Sequence, residues 1–194
     1  MSQEQPLYSE AYTKVIDLAK RYASGTSDRV IRLKHLLAAF LDTAGDVLRE
    51  ILGVKRLVRP ENLLFESKDQ TGEVLLSSQV IHILSLHGGR MDEVTDTIGP
   101  VVELGLPHLA AAMLIKPRGP MLELLQLNAI EPNNAAFVED VMARAQEAAD
   151  IEFRKSCAKE RANRMKSLKQ IKDELTKTCH GQSKAVEELI ALVA

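Results

Sequence analysis

The sequence predicts an all-α protein: a pseudo-twofold, duplicated helical repeat followed by a long linker helix. Three observations predict it. Of the 194 residues 45% are hydrophobic but only 4% aromatic, with no Trp, a mix that starves a β-sandwich and suits helices. One segment recurs: Leu33, Leu36, Leu37, Phe40 and Leu41 coincide with Leu106, Leu109, Ala110, Met113 and Leu114, 73 positions on (106 − 33). Those positions are i, i+3, i+4, i+7 and i+8, one face of a helix, and His35 falls on His108 in the same alignment.

The copies extend in both directions. Upstream, Ser9 to Leu18 matches Ser77 to Leu86 at an offset of 68 (77 − 9), so about five further residues (73 − 68) are expected in the loop before the second His segment. Each copy opens at a serine suited to capping a helix. Downstream, Val47-Leu48 with Ile51-Leu52 resembles Met121-Leu122 with Leu124-Leu125. Each copy therefore reads as helix, loop, helix, short break and third helix. The breaks, Thr43 to Gly45 and Lys116 to Pro120, hold the Gly and Pro that stop helices. A short fourth helix is expected near Pro60 to Phe65 and Pro132 to Val138, since Pro suits a first helical turn. A unit of about 45 residues cannot bury its apolar face alone, whereas two packed copies can. The predicted repeat domain spans 7–140, with repeats at about 7–55 and 75–130.

From Asn134 to Leu175 few breakers occur, and one long helix or two stacked pieces are expected. Its first part has an apolar face of Phe137, Val138, Val141, Met142 and Ala145 that docks on the repeats; residues 141–167 form a basic linker. Between Arg154 and Lys172 eight basic residues face one acid, Glu160, a balance of +7 (8 − 1). Such a helix could contact phosphates, but aromatics are not interleaved with its charges, and a solvated linker is the preferred reading.

Over the whole chain 25 basic residues nearly cancel 27 acidic ones, for a net charge of −2, which argues against a general attraction to nucleic acid or membrane. Cys157 and Cys179 form no CxxC and read as free thiols of a reducing compartment. Met1 to Pro6 lack a signal pattern, and no apolar run approaches the roughly 18 residues that span a bilayer. The chain reads as a soluble cytoplasmic protein.

Candidate chemistry is sparse. His35 and His108 sit in matching first helical turns without converging carboxylates or thiols, and a structural role is expected. His82 and His87, five apart, miss the i, i+4 spacing of a helical metal pair and read as helix residues. No Gly-x-Ser-x-Gly or His-Glu-x-x-His occurs, and Cys179-His180 is the one pairing that could lower a thiol pKa. No catalytic and no metal residue is assigned. The long segments Lys55 to Val74 and Gly88 to Gly105 are candidate functional loops.

A helix opening at serine, a His-Leu-type helix and a short helix ending near Leu52-Gly53-Val54, repeated, resemble the double-repeat N-terminal domain of the Clp AAA+ ATPases, over about residues 7–135. The stretch Leu168 to Ile190 resembles the opening of an AAA+ module, whose Gly-Gln turn (here Gly181-Gln182) lies beside the adenine in that family; His180 departs from the usual aliphatic residue there. No Gly-x-x-x-x-Gly-Lys occurs, and a phosphate loop is what nucleotide binding requires. Residues 168–194 thus read as the start of an AAA+ module ahead of its Walker A loop, and the chain as the front end of a longer ATPase.

The resemblance implies a non-catalytic domain that binds unfolded protein segments or an adaptor and serves an ATP-driven, hexameric unfoldase or chaperone working with or without a protease partner. ATP and Mg are implied for the full-length protein and no cofactor for this chain, which is expected to be monomeric. The alternatives are a regulatory or assembly domain contacting its own ring and, third, a nucleic-acid-binding module using the basic linker. Some family members receive phosphorylated arginine on acids that precede each His; Lys34 and Pro107 occupy those positions here, so that mode is not carried over.

Overall fold

The structure, a computed structural model, describes residues 7–26, 29–65, 73–98, 103–132 and 135–178. These are mostly helical, in accord with the predicted class. The order is β1 (Leu7–Tyr8), α1 (Glu10–Ser24), β2 (Val30–Ile31), α2 (Leu33–Leu52), a 3-10 turn (Glu61–Leu63), β3 (Leu75–Leu76), α3 (Ser78–Leu84), α4 (Arg90–Ile98), β4 (Glu103–Leu104), α5 (Leu106–Leu114), α6 (Pro120–Leu127) and α7 (Ala135–Thr178). Contacts divide the chain into two units, Met1–Ala149 and Asp150–Ala194.

Within the first unit, serine side chains start two helices. Ser9 Oγ accepts the Tyr12 N–H at 3.2 Å and Ser77 Oγ accepts the Val80 N–H at 3.4 Å, each satisfying a donor the first turn leaves open. α2 bends at Ala44, whose φ of −147° and ψ of 31° leave the helical region. The Thr43 hydroxyl donates to the Ala39 carbonyl at 2.7 Å just before the bend, a bond that competes with the helix ladder, and Gly45 follows with its low helix propensity. In the second half the corresponding break is complete: α5 ends at Leu114 and α6 begins at Pro120.

The core is where these faces meet. Leu36, Leu37 and Phe40 of α2 and Leu109, Ala110 and Met113 of α5 are fully buried, with Val15 of α1 and Ile83 of α3. α2 packs on α1, α5 and α6, and α4 packs on α5. Each large apolar side chain so buried contributes on the order of 1.5–3 kcal/mol. From α7, Val141, Met142 and Ala145 join this core, so the core-bearing part of that helix extends past residue 140. The Asn128 side chain fastens the halves together. Its Oδ1 accepts the Val58 N–H at 2.8 Å and its Nδ2 donates to the Val58 carbonyl at 2.9 Å.

Two very short parallel ladders were not foreseen. β1 pairs with β4, Leu7 opposite Glu103 and Tyr8 opposite Leu104; β2 pairs with β3, Val30 opposite Leu75 and Ile31 opposite Leu76. The second register is the first with 68 added to one strand (7 to 75) and 73 subtracted from the other (103 to 30). The flanking bonds repeat likewise: Ser9 N–H donates to the Leu104 carbonyl at 2.9 Å and Ser77 N–H to the Ile31 carbonyl at 3.0 Å.

Two expectations are corrected between Leu84 and Leu106. The extra residues expected between the first helix and the His helix of the second copy do lie between α3 and α5, but not as loop alone. They form a corner, Ser85 to Gly89, between α3 and α4. Gly88 has φ +70°, and a Cβ on Gly89 would lie 2.5 Å from the carbonyl oxygens of both His82 and Ser85, so two glycines permit a turn that a helix could not make. The stretch Gly88 to Gly105 is accordingly no long loop: it contains the nine-residue α4. Asp92 and Glu93 favour the start of that helix, and Met91 and Val94 face the core.

In the second unit α7 presents its residues mostly to solvent, including Phe153, Met165 and Ile171. No helix among the described residues is long and apolar enough to cross a membrane.

Candidate functional site

The short ladders place apolar side chains outside the core. Leu7 and Tyr8 are 69% and 48% exposed beside the start of α1, and Leu75 and Leu76 are 65% and 41% exposed beside the start of α3. Ile81, one turn into α3, is also exposed. The Tyr8 ring leans on Tyr12 at 5.0 Å between centroids. The partner strands turn Ile31 and Leu104 into the core, whereas β1 and β3 leave both side chains outside it, so each of these two forms a small apolar ridge at the start of a serine-capped helix.

The paired histidines sit in the first turns of α2 and α5. His35 Nδ1 accepts the Arg32 N–H at 3.2 Å, and His108 Nδ1 accepts the Gly105 N–H at 3.1 Å. Both rings are buried. An imidazole accepting through Nδ1 is the neutral tautomer with its proton on Nε2, and burial pushes His108 below the ordinary imidazole value. Each histidine thereby satisfies a backbone donor that would otherwise be orphaned at a helix start. His87, read from sequence as a helix residue, instead lies in the exposed corner between α3 and α4, while His82 is on α3.

A groove of about 630 Å³ follows the bend of α2, lined among others by Asp42, Gly45, Arg49, Arg56 and Arg59. At its edge Asp42 accepts the Tyr22 hydroxyl at 2.5 Å and pairs with the Arg59 guanidinium, which also donates to the Leu63 carbonyl. Burial, then the Asp42 carboxylate, push the Tyr22 phenol up to about 12. Phe65 closes over this cluster, its ring 5.6 Å from Tyr22 and 4.9 Å edge-on to His35. The Lys34 ammonium sits 5.7 Å from the Phe65 centroid, so a cation–π contact occupies the side chain that precedes His35. Sequence reasoning missed this cluster because Tyr22, Asp42 and the pair Arg59 and Phe65 come from three separate segments: α1, α2 and the connection around the 3-10 turn.

The basic residues of Arg154 to Lys172 lie along α7, with Arg164 3.5 Å from Glu160; Cys157 is a free, half-buried thiol on the same helix. Gly181 and Gln182, the adenine-proximal turn by resemblance, lie outside the described residues, as do Cys179 and His180. Among the described residues no three His, Cys, Asp or Glu side chains are grouped to hold a metal.

No family model matches the chain, and no curated protein or solved structure matches it.

Proposed function

We propose that the first unit is a duplicated helical domain of the Clp N-terminal type, recognising unfolded protein segments or an adaptor without catalysis of its own. The observation that carries this reading is the pair of apolar ridges, Leu7-Tyr8 and Leu75-Leu76 with Ile81, set at equivalent serine-capped helix starts. The common ladder register and the twin His-capped helices support the duplication. Two similar apolar ridges in one compact unit suit a ligand that is apolar, extended and loosely specified in sequence, because each ridge offers area rather than a shaped pocket. Weak binding at each is enough where a linker delivers the client, since linkage raises the effective concentration at the next station. On this reading 141–167 is that linker beyond the core residues Val141, Met142 and Ala145, and residues 168–194 begin an AAA+ module that uses ATP and Mg in a longer, hexameric protein.

The test is binding of the chain to an array of unstructured peptides. Leu7→Ser and Leu75→Ser should each weaken capture of apolar peptides, and the double variant should abolish it with the helical circular dichroism unchanged. Peptide capture that survives the double variant overturns the reading, and one tight protein partner in place of peptides favours the assembly role. Micromolar ATP affinity for this chain alone would contradict the account of residues 168–194.

A further inference from the structure

Arg90 opens α4 just past the Gly88-Gly89 corner and is 3% exposed. Its Nε and Nη1 have no hydrogen-bond partner among the described residues. An arginine remains protonated in proteins, and a buried, unpaired charge is strongly unfavourable, so this guanidinium calls for an anion.

The neighbouring carboxylate of Glu93 favours the charge of Arg90 but makes no hydrogen bond to its orphaned nitrogens. Glu93, one turn along the same helix and so on the same face, is held by the Lys116 ammonium at 2.8 and 3.1 Å. Asp92, in the same first turn, accepts the Gly88 N–H at 2.8 Å. Lys116 also brings the α5–α6 connection against α4, and two residues further that connection carries Arg118. Arg90, with Lys116 on Glu93 and Arg118 acting on Arg90 itself, outnumbers the carboxylates of Asp92 and Glu93 by one positive charge (3 − 2). Burial, and after it the like charge of Arg118, lower the proton affinity of Arg90.

We propose that Arg90 and Arg118 form an oxyanion site for a phosphate group, with Lys116 and Glu93 closing its rim. A phosphate group answers the excess positive charge, and the planar guanidinium offers it paired N–H donors that water or a lone ammonium cannot arrange as well. The site is separate from the apolar ridges, so it adds a second determinant to whatever the ridges hold. Free orthophosphate and a phosphorylated side chain share this chemistry.

The experiment measures thermal unfolding of the full chain across an orthophosphate series, with chloride matched for ionic strength. Phosphate should raise the midpoint in the wild type. Arg118→Gln, a surface change that leaves the core alone, should weaken the apparent affinity by about tenfold or more. Arg90→Met should abolish the response and, in chloride, be no less stable than the wild type, because it removes an unpaired buried charge. A midpoint that does not rise above the chloride control overturns the proposal. So does an equal rise in the wild type and Arg118→Gln, which decides the matter even if Arg90→Met fails to fold. A phosphopeptide that binds more tightly than both orthophosphate and its unphosphorylated twin assigns the site to a partner's side chain; orthophosphate binding alone assigns it to the free ion.

Discussion

The Tyr22 hydroxyl and the Asp42 carboxylate meet at 2.5 Å, joining the end of α1 to the middle of α2. Asp42 then holds Arg59, which carries the chain back over the groove. Tyr22→Phe should destabilise the protein by about 1.5–3 kcal/mol, the usual contribution of a hydrogen bond to a charged group, as read by urea unfolding. The folded phenol ionises near 12 and an unfolded one near 10. Between those values the unfolded state has released its proton and the folded state has not, so stability falls as pH rises through that window. Tyr22→Phe should shrink that alkaline loss, leaving the part due to Tyr12, which burial also pushes up.

His108 works in the opposite pH range. Its folded value is lowered, so below about 6.5 the unfolded state binds the proton more readily. Its contribution is present above that pH and is lost as the solution is acidified. Replacing it in His108→Leu should remove this part of the acid sensitivity. The same change leaves the Gly105 N–H unpartnered, which costs about 1–3 kcal/mol at neutral pH. Unfolding curves at pH 5 and pH 7.5 for both proteins check the two effects together, and an unchanged acid slope in the variant would refute the assignment.

Gly89 and Gly119 should fail on substitution for different reasons. A Cβ at Gly89 would strike two backbone carbonyl oxygens at 2.5 Å, whereas one at Gly119 meets nothing within 4 Å but sits on a backbone with φ +52°. Gly119→Ala should cost about 1–3 kcal/mol of conformational strain. Gly89→Ala should cost more, because the α3–α4 corner itself must open. Asn should rescue neither position, because Gly119 joins its positive φ to a ψ of −124°, outside the left-handed helical region that Asn tolerates. Thermal midpoints of the four variants give the comparison.

Phe40 is fully buried where α2 packs, and Leu64 is 71% exposed beside the 3-10 turn. Phe40→Ala should destabilise by about 3–5 kcal/mol through lost burial and the cavity left behind. Leu64→Ala should stay within about 0.5 kcal/mol. Chemical denaturation of the pair tests whether the α2 face is the centre of the core.

Much of the helical framework was legible because its signals are local and periodic. Ser9 and Ser77 announce two helix starts, and Leu36, Leu37 and Phe40 announce a buried face by their spacing alone. The breaks at Thr43 to Gly45 and after Leu114 follow from glycine and proline. What was not legible depends on partners distant in sequence. A two-residue strand such as Val30–Ile31 has no periodicity to read, and only Leu75–Leu76 opposite gives it an identity. The helix α4 reads as loop in the sequence because Gly88-Gly89 precedes it and its short span turns only Met91, Val94 and, partly, Ile98 inward as apolar side chains. Among candidate sites, the histidines could be placed at helix starts from sequence, yet Arg90 reads as an ordinary surface cation until its burial is known. The Tyr22–Asp42–Arg59 cluster leaves no trace in spacing.

The crossed pairing of the ladders ties the halves into a mutual clasp. Each half lends its first strand to the other's second, Leu7–Tyr8 to Glu103–Leu104 and Leu75–Leu76 to Val30–Ile31. Expressed separately, residues 7–65 and 73–132 would each be left holding out two unmatched strands, and would regain their fold only on mixing. The same reciprocity allows one molecule's half to fasten onto another's, so refolding at high concentration should yield an exchanged dimer whose internal contacts reproduce those of the monomer.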